Sequence, residues 1–158
     1  GYIAGLAPFN VKDYDIIVLN QDGTNSFPIQ VKTTASNKRG WIMQEKHEKP
    51  IKDLYYCFVY LHEKLSDTEI FIIDSKNVAD YLKLTHSIWL KVPGKNGKKH
   101  NDSTMRMLGR GINQDWIRNL DKIEKLLSKQ EISFINKMEK TNNHWIAPFK
   151  DAWNLIEF

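Results

Sequence analysis

Two apolar runs separated by a short polar turn constrain the fold of this chain more than any other stretch. The runs cover residues 15–20 and 27–33, and Asp22-Gly23 lies between them. Such a dipeptide favours the positive φ that a tight hairpin turn needs. We therefore predict two antiparallel β-strands joined by this turn.

The second of these strands separates a polar face from an apolar face. Successive side chains of a strand point to opposite sides, so Ile29 and Val31 share one face, and Gln30 and Lys32 share the other. Asp15 stands at the start of the first strand. We expect a carboxylate, an amide and an ammonium to converge on one side of a sheet. The competing interpretation is a hairpin whose solvent face is merely polar.

These residues resemble the signature of the PD-(D/E)XK nuclease superfamily, whose fold is restriction-endonuclease-like. That signature is an Asp followed, on the next strand, by an acid-x-Lys triplet. Asp15 takes the first place, and residues 30–32 (Gln-Val-Lys) take the place of the triplet. Residues 85–102 and 151–155 also resemble a group of small uncharacterised bacterial members.

The resemblance implies a single nuclease-like α/β domain over residues 1–158, with a mixed sheet flanked by helices, that cuts DNA with the help of a metal ion. Asp15, the Gln30 side chain and the Val31 carbonyl would hold Mg²⁺, with Mn²⁺ as a substitute. Lys32 would orient the water and contact the phosphate, so Asp15, Gln30 and Lys32 are the catalytic candidates.

The sequence departs from the family pattern in two ways, which leave other functions open. Gln30 replaces the usual second acid and is a weaker ligand for a hard cation. The sequence begins at Gly1-Tyr2, so the family's leading helix with a further Glu either precedes these residues or is not used by this protein. A catalytically silent module that binds nucleic acid or supports an assembly would tolerate both departures. A nuclease that acts on RNA would share Asp15 and Lys32 with one that acts on DNA.

Two basic loops are candidates for contacts with nucleic-acid phosphates. Lys38 and Arg39 follow the strand that carries Lys32. Residues 93–102 form a second, Gly-rich loop with Lys95, Lys98, Lys99 and His100. Lysines and backbone amides suit a phosphate backbone, and both segments also fit ordinary solvated loops.

The remaining patterns predict further elements of one α/β domain. Short strands are expected over residues 2–6 and 41–43, and a buried central strand over 54–61. Residues 69–74 are its predicted partner, and residues 75–90 predict a helix with Ser75 as its N-cap.

The C-terminal part predicts an inserted helical hairpin over about residues 108–142, built from helices at 112–129 and 131–140. It would cover the sheet, bind DNA or mediate a homodimer, and the sequence does not choose among these roles. The aromatic tail, residues 141–158, is expected to pack on the body. His47 is expected on the surface.

Charge and cysteine usage set the broad class of protein. The net charge is +4 and the pI is about 9.0, which suits a polyanionic partner without proving one. Cys57 is the single cysteine, so no disulfide forms within the chain, and a reducing, cytoplasmic location is expected. The sequence has no apolar run long enough for a membrane span.

Overall fold

The computed structural model describes residues 2–8, 12–35 and 40–156, with only the backbone of Lys95. The strands are β1 Ile3–Leu6, β2 Ile16–Leu19, β3 Ser26–Ala35, β4 Gly40–Gln44, β5 Tyr55–Leu61, β6 Glu69–Asp74 and β7 Met105–Gly109. The α-helices are α1 Ser75–Lys91, α2 Gln114–Arg118, α3 Leu120–Ile123 and α4 Lys129–Lys140.

The main sheet is mixed and has the strand order β1-β2-β3-β5-β6. Strands β1, β2 and β3 form an antiparallel meander, β5 runs parallel to β3, and β6 is antiparallel to β5. Strands β4 and β7 form a separate antiparallel pair. The predicted α/β class, with a mixed sheet and helices, is therefore confirmed.

The predicted hairpin is also confirmed, and it joins β2 to β3. Gly23 has a φ of 70°, the left-handed conformation for which a glycine was expected in the turn. The side-chain carboxylate of Asp22 accepts hydrogen bonds from the backbone N–H of Thr24 at 3.1 Å and from its hydroxyl at 2.7 Å. This local bonding fixes the turn and sets Ile16 opposite Ile29 in the register.

Because side chains alternate between the two faces along the central strands, the sheet packs against a hydrophobic core on each face. The main core combines aromatic side chains of β5 and β6 with residues of α1 and of the β4–β7 pair: Tyr56, Phe58, Tyr60, Phe71, Val78, Tyr81, Leu82, Ile88, Trp41, Met43 and Leu108. The smaller core on the opposite face contains Ile29, Cys57, Ile72 and Ile156. Burial raises the pKa of the Cys57 thiol to about 11, so the thiol is protonated at neutral pH.

Helix α1 begins where the sequence predicted, but with a different cap. The Asp74 side chain accepts a hydrogen bond from the backbone N–H of Asn77 at 3.0 Å, so Asp74 is the N-cap. The Ser75 hydroxyl oxygen instead accepts a hydrogen bond from the backbone N–H of Ile51 at 2.9 Å. Ser75 therefore ties the start of the helix to the loop that precedes β5.

The C-terminal helical region differs from the prediction. The long helix expected over residues 112–129 is wrong, because α2 and α3 are separate short helices followed by a 3₁₀ turn at Glu124–Leu126. Asn119 has φ −120° and ψ 26°, and its side-chain N–H donates to the Asp115 carbonyl at 3.0 Å. Residue 109 ends strand β7, and the predicted helical hairpin over 108–142 is not confirmed.

The aromatic tail packs on the body, as predicted. The indole N–H of Trp145 donates to the Gly109 carbonyl at 2.8 Å, and its ring stacks on Tyr81 with the centroids 4.1 Å apart. The Tyr55 hydroxyl donates to the Leu155 carbonyl at 2.7 Å. Over the described ranges no helix is both long and apolar enough to cross a membrane.

Candidate functional site

The β2–β3 hairpin places the Asp15 carboxylate beside Gln30 and Val31. The backbone N–H of Asp15 donates to the Ile29 carbonyl at 2.8 Å, and the Asp15 Oδ2 accepts from the backbone N–H of Val31 at 2.7 Å. These two bonds lie on either side of Gln30 and fix the carboxylate across the strand pair. The structure therefore brings Asp15 and residues 30–31 together, as the hairpin pattern predicted.

Gln30 is buried, with only 8% of its surface exposed. It lies opposite Tyr56 in the parallel β3–β5 pairing, so its side chain belongs to the main-core side of the sheet. Within the described part of the chain, its amide has no hydrogen-bond partner. A solvent-facing hairpin is therefore the wrong interpretation for Gln30. The amide atoms of Gln30 are not among the fully buried, unpaired side-chain atoms of the described residues, so the amide remains open to water or to a ligand.

Lys32 lies on the same face of β3 as Gln30. It is half-buried and lies opposite Phe58 of β5. Its ammonium forms no ion pair or hydrogen bond with any residue that the structure describes. Its charge nevertheless acts on a neighbour, because it lowers the pKa of His47. An ammonium without an anionic partner among the described residues is available to bind an anion from outside the protein.

His47 is buried, with 6% of its surface exposed, so the prediction of a surface position is wrong. Its Nδ1 lies 2.9 Å from the backbone nitrogen of Gln44, which caps the 3₁₀ turn Glu45–Glu48 and draws the ring inward. The ring meets the Tyr56 ring edge to face at 6.0 Å. Burial, and next the Lys32 charge, lower the pKa of His47, so the imidazole is neutral at pH 7.

Asp13 and Lys46 place two further charges near His47. Their side chains form an exposed ion pair at 3.5 Å. Burial, and next the Asp13 charge, raise the pKa of Tyr56 to about 12. The Asp13 charge also acts on His47, in the direction that raises its pKa. We call Asp13, Asp15, Gln30, Lys32, Lys46 and His47 the Lys32 site.

Asp13, Lys46 and His47 were not predicted as members of this site. Asp13 lies two residues before Asp15, so the same strand alternation that selected Asp15 also points to Asp13. His47 lies in a charged segment with Pro50, which indicated a loop. Its burial depends on the tertiary contact with Tyr56, which no local pattern reveals.

The candidate metal ligands of the Lys32 site, on Asp15, Gln30 and Val31, are oxygens, which suit a hard cation. In the described part of the chain, no group of three or more His, Cys, Asp or Glu side chains is placed to hold a metal ion. Asp15 has one carboxylate oxygen engaged by Val31, and the Gln30 amide supplies a neutral oxygen. This donor set fits Mg²⁺ or Mn²⁺ better than a softer metal, with water or a ligand completing the shell.

The Gly-rich basic loop is held in place by aromatic and ionic contacts. The rings of His100 and Trp89 stack with their centroids 4.1 Å apart, and His86 stacks on Trp89 at 5.5 Å. The Asp102 carboxylate lies 2.8 Å from the His86 Nε2 and 3.8 Å from the Arg106 guanidinium. Lys98 and Lys99 remain exposed on this anchored loop, whereas the side chain of Lys95 lies outside the description.

The end of this loop lies beside the 3₁₀ turn that carries Lys46 and His47. The backbone N–H of Glu45 donates to the Thr104 carbonyl at 2.8 Å, and Glu48 pairs with the buried Arg106. The loop is thus attached to the same turn as the Lys32 site. Lys38 and Arg39, the other predicted phosphate contacts, lie outside the described residues.

Comparisons with known proteins add no relative. No protein-family model, curated protein sequence or solved structure matches the chain. The resemblance to the PD-(D/E)XK superfamily therefore remains a prediction that rests on residues 13–33 and the later segments quoted above.

Proposed function

We propose that this protein is a Mg²⁺-dependent DNA endonuclease of the restriction or repair kind, with a restriction-endonuclease-like fold and the Lys32 site as its active site. One observation carries the proposal. A fixed carboxylate, Asp15, lies beside Gln30, a mostly buried residue whose amide is not engaged by any described residue and is open to a ligand. Lys32, two residues further along the same strand face, has no ionic partner there either.

Each residue of the site has a role in this proposal. Asp15, with the Gln30 oxygen and the Val31 carbonyl, would hold the cation, which supplies a water of lowered pKa and neutralises charge on the phosphate. The Lys32 ammonium would contact the scissile phosphate, where negative charge grows in the transition state. Lys98 and Lys99 would contact the DNA backbone and position the duplex without reading its sequence.

The direct experiment is a cleavage assay on supercoiled plasmid DNA with purified protein. We expect nicked and linear products with Mg²⁺ or Mn²⁺ and none with excess EDTA. An RNA substrate of similar length, assayed in parallel, separates a nuclease that prefers RNA from one that prefers DNA. A protein that cuts neither polymer with either cation would contradict the proposal.

The second candidate is a silent nucleic-acid-binding or assembly module, and Gln30 is the observation that favours it. An amide in the place of an acid removes a negative charge from the metal site, while the exposed Lys98 and Lys99 still serve for phosphate binding. Such a module would bind duplex DNA in a salt-dependent manner and leave the plasmid intact.

A further inference from the structure

We infer that two copies of this chain associate edge to edge through strand β1, with Gly5 of both copies at a two-fold axis. The inference does not depend on the proposed function. In the described sheet, β1 is an edge strand whose one neighbour is β2. The opposite edge, β6, is partly covered, because Phe71 forms an antiparallel bridge with Lys150. Strand β1 is therefore the open edge through which this sheet can be extended.

The backbone groups of two β1 residues point away from β2. The backbone N–H of Ala7 donates to the Asp15 carbonyl at 2.9 Å, so Ala7 bonds to the β2 side. Along an antiparallel ladder, residues that bond to the neighbouring strand alternate with residues that do not. Gly5 therefore also bonds to β2, whereas the N–H and C=O groups of Ala4 and Leu6 face outward. Such outward groups are a template for pairing with another strand.

One register lets two copies of β1 satisfy all of these groups together. In an antiparallel pairing centred on Gly5, Ala4 of each copy lies opposite Leu6 of the other, and the two exchange both hydrogen bonds. The side-chain sizes fit the same register. Leu6, which is 87% exposed, meets the small Ala4, and Gly5 meets Gly5. Ile3, which is 55% exposed, meets Ala7. A large side chain thus always faces a small one across the seam, so a second copy is a complementary partner.

The charge distribution also favours a second copy at this edge. The chain carries a net charge of +4, so two copies repel each other unless they meet through a neutral surface. Strands β1 and β2 contain no charged residue. Edge strands that resist pairing commonly carry lysine, proline or a bulge. The segment Ile3–Leu6 contains neither residue type, and its register with β2 is continuous.

The contact is small, so we expect a weak dimer. Two paired edge strands bury less surface than the roughly 800 Å² per partner of a stable interface. Sedimentation equilibrium of the intact chain measures the association. We expect the monomer mass of 18.5 kDa at about 5 μM and a clear rise towards twice that mass at about 500 μM.

Gly5 provides a charge test of the register. A Cβ at Gly5 would meet no atom within 4 Å in its own chain, so the monomer has room for a side chain there. In the dimer the two positions are directly opposite, with Cβ atoms about 4.5–5.5 Å apart. Gly5→Lys and Gly5→Glu each place two like charges at the axis, so each alone should associate at least about fivefold more weakly. An equal mixture of the two variants should recover the association, because opposite charges then meet.

Two further sets of variants complete the design. Leu65→Lys and Leu65→Glu make the same charge changes on the 3₁₀ turn between β5 and β6, where Leu65 is 78% exposed. They are the matched controls and should associate like the wild type. Leu6→Pro removes an outward N–H on which the pairing with β2 does not depend, so it should lose association. Urea unfolding shows that each variant is folded.

The pattern of association decides the inference. Loss in each Gly5 variant, recovery in their mixture and loss in Leu6→Pro support it. A wild type that stays monomeric at the highest concentration overturns it. A wild-type dimer that persists in folded Gly5→Lys, Gly5→Glu and Leu6→Pro places the interface elsewhere and also overturns it. If the folded Gly5 variants lose association but their mixture does not recover it, the register centred on Gly5 is wrong.

Discussion

The Asp15 carboxylate accepts a hydrogen bond from the backbone N–H of Val31 at 2.7 Å, so one side chain both closes the β2–β3 hairpin and orients the proposed metal ligand. Asp15→Asn keeps an oxygen that can accept this bond but removes the charge. We expect its cleavage rate to fall at least about 100-fold while its free energy of unfolding stays within about 1 kcal/mol of the wild-type value.

Asp15→Ala is the companion variant, because it removes the hydrogen bond as well. We expect it to lose the same activity and, in addition, about 1–2 kcal/mol of stability in urea denaturation. Full cleavage activity in either variant would exclude Asp15 as a metal ligand.

The basic loop predicts a change in the salt dependence of DNA binding. Lys98 and Lys99 are exposed on a loop that is anchored by the stacking of His100 on Trp89. Replacing Lys95, Lys98 and Lys99 by Ala should reduce the slope of log K against log salt by about 2–3. The reason is that binding releases fewer counterions from the DNA when fewer phosphates are contacted. Fluorescence anisotropy at several salt concentrations measures the slope.

A triple Ala variant of Lys125, Lys137 and Lys140, which are exposed in the C-terminal helical region, has the same change of charge and serves as the control for the loop. If both triple variants reduce the slope equally, the effect comes from net charge and the loop has no specific role.

His47 predicts a pH dependence of stability. Its folded pKa is lowered, first by burial and then by Lys32, so the unfolded chain binds its proton more readily. The stability due to neutral His47 is therefore complete above the unfolded pKa, about 6.5, and is lost as the pH falls below it. His47→Asn, which can still cap the turn through its side-chain oxygen, should lower the urea midpoint more at pH 7.5 than at pH 5. A loss of equal size at both pH values would mean that folding does not lower the pKa of His47.

Glu131 gives a stability prediction that is independent of the proposed function. Burial alone would raise its pKa, but hydrogen bonds from Lys91, Ser87 and Ser128 lower the pKa to about 2. The Lys91 ammonium lies 2.8 Å from both carboxylate oxygens, which ties α4 to α1. Because the folded pKa lies below the unfolded value, this stability is present above about pH 4.5 and is lost as the pH falls towards 2. It amounts to on the order of 3 kcal/mol.

Glu131→Gln keeps the shape and removes the charge, so it should lower the free energy of unfolding at pH 7 and flatten its decline between pH 4.5 and 2. Glu139→Gln, an exposed change on the same helix, is the control and should do neither. An unaltered pH profile in Glu131→Gln would show that other carboxylates determine the acid sensitivity.

The elements that the sequence predicted well are those with a clear local pattern. The Asp22-Gly23 turn, the apolar β5 and the periodic face of α1 are each specified by neighbouring residues, and all three are present. Strand β7 was missed because its pattern is inverted. Its Met105 and Met107 are exposed, whereas Arg106 is buried and paired with Glu48. The order of polar and apolar residues therefore indicates the opposite of the observed buried face.

In the candidate site, too, contacts within one hairpin were predictable and contacts between distant segments were not. The pairing of Asp15 with residues 30–31 follows from one hairpin and was predictable. The burial of Gln30 against β5 and the approach of His47 to Lys32 depend on the parallel β3–β5 pairing and on the 3₁₀ turn after β4. Contacts between segments so far apart in the chain have no signature in local alternation or composition.

The cleavage rate of Lys32→Ala on supercoiled plasmid DNA tests the proposed active site most directly, with Lys137→Ala, on the exposed face of α4, as the control. Because the Lys32 ammonium would act on charge that grows in the transition state, we expect the rate with Mg²⁺ to fall by about 100-fold or more. Metal-free duplex affinity should change by only about threefold, the loss of one phosphate contact among several. A Lys32→Ala protein that nicks the plasmid as fast as the wild type would contradict the assignment of this site.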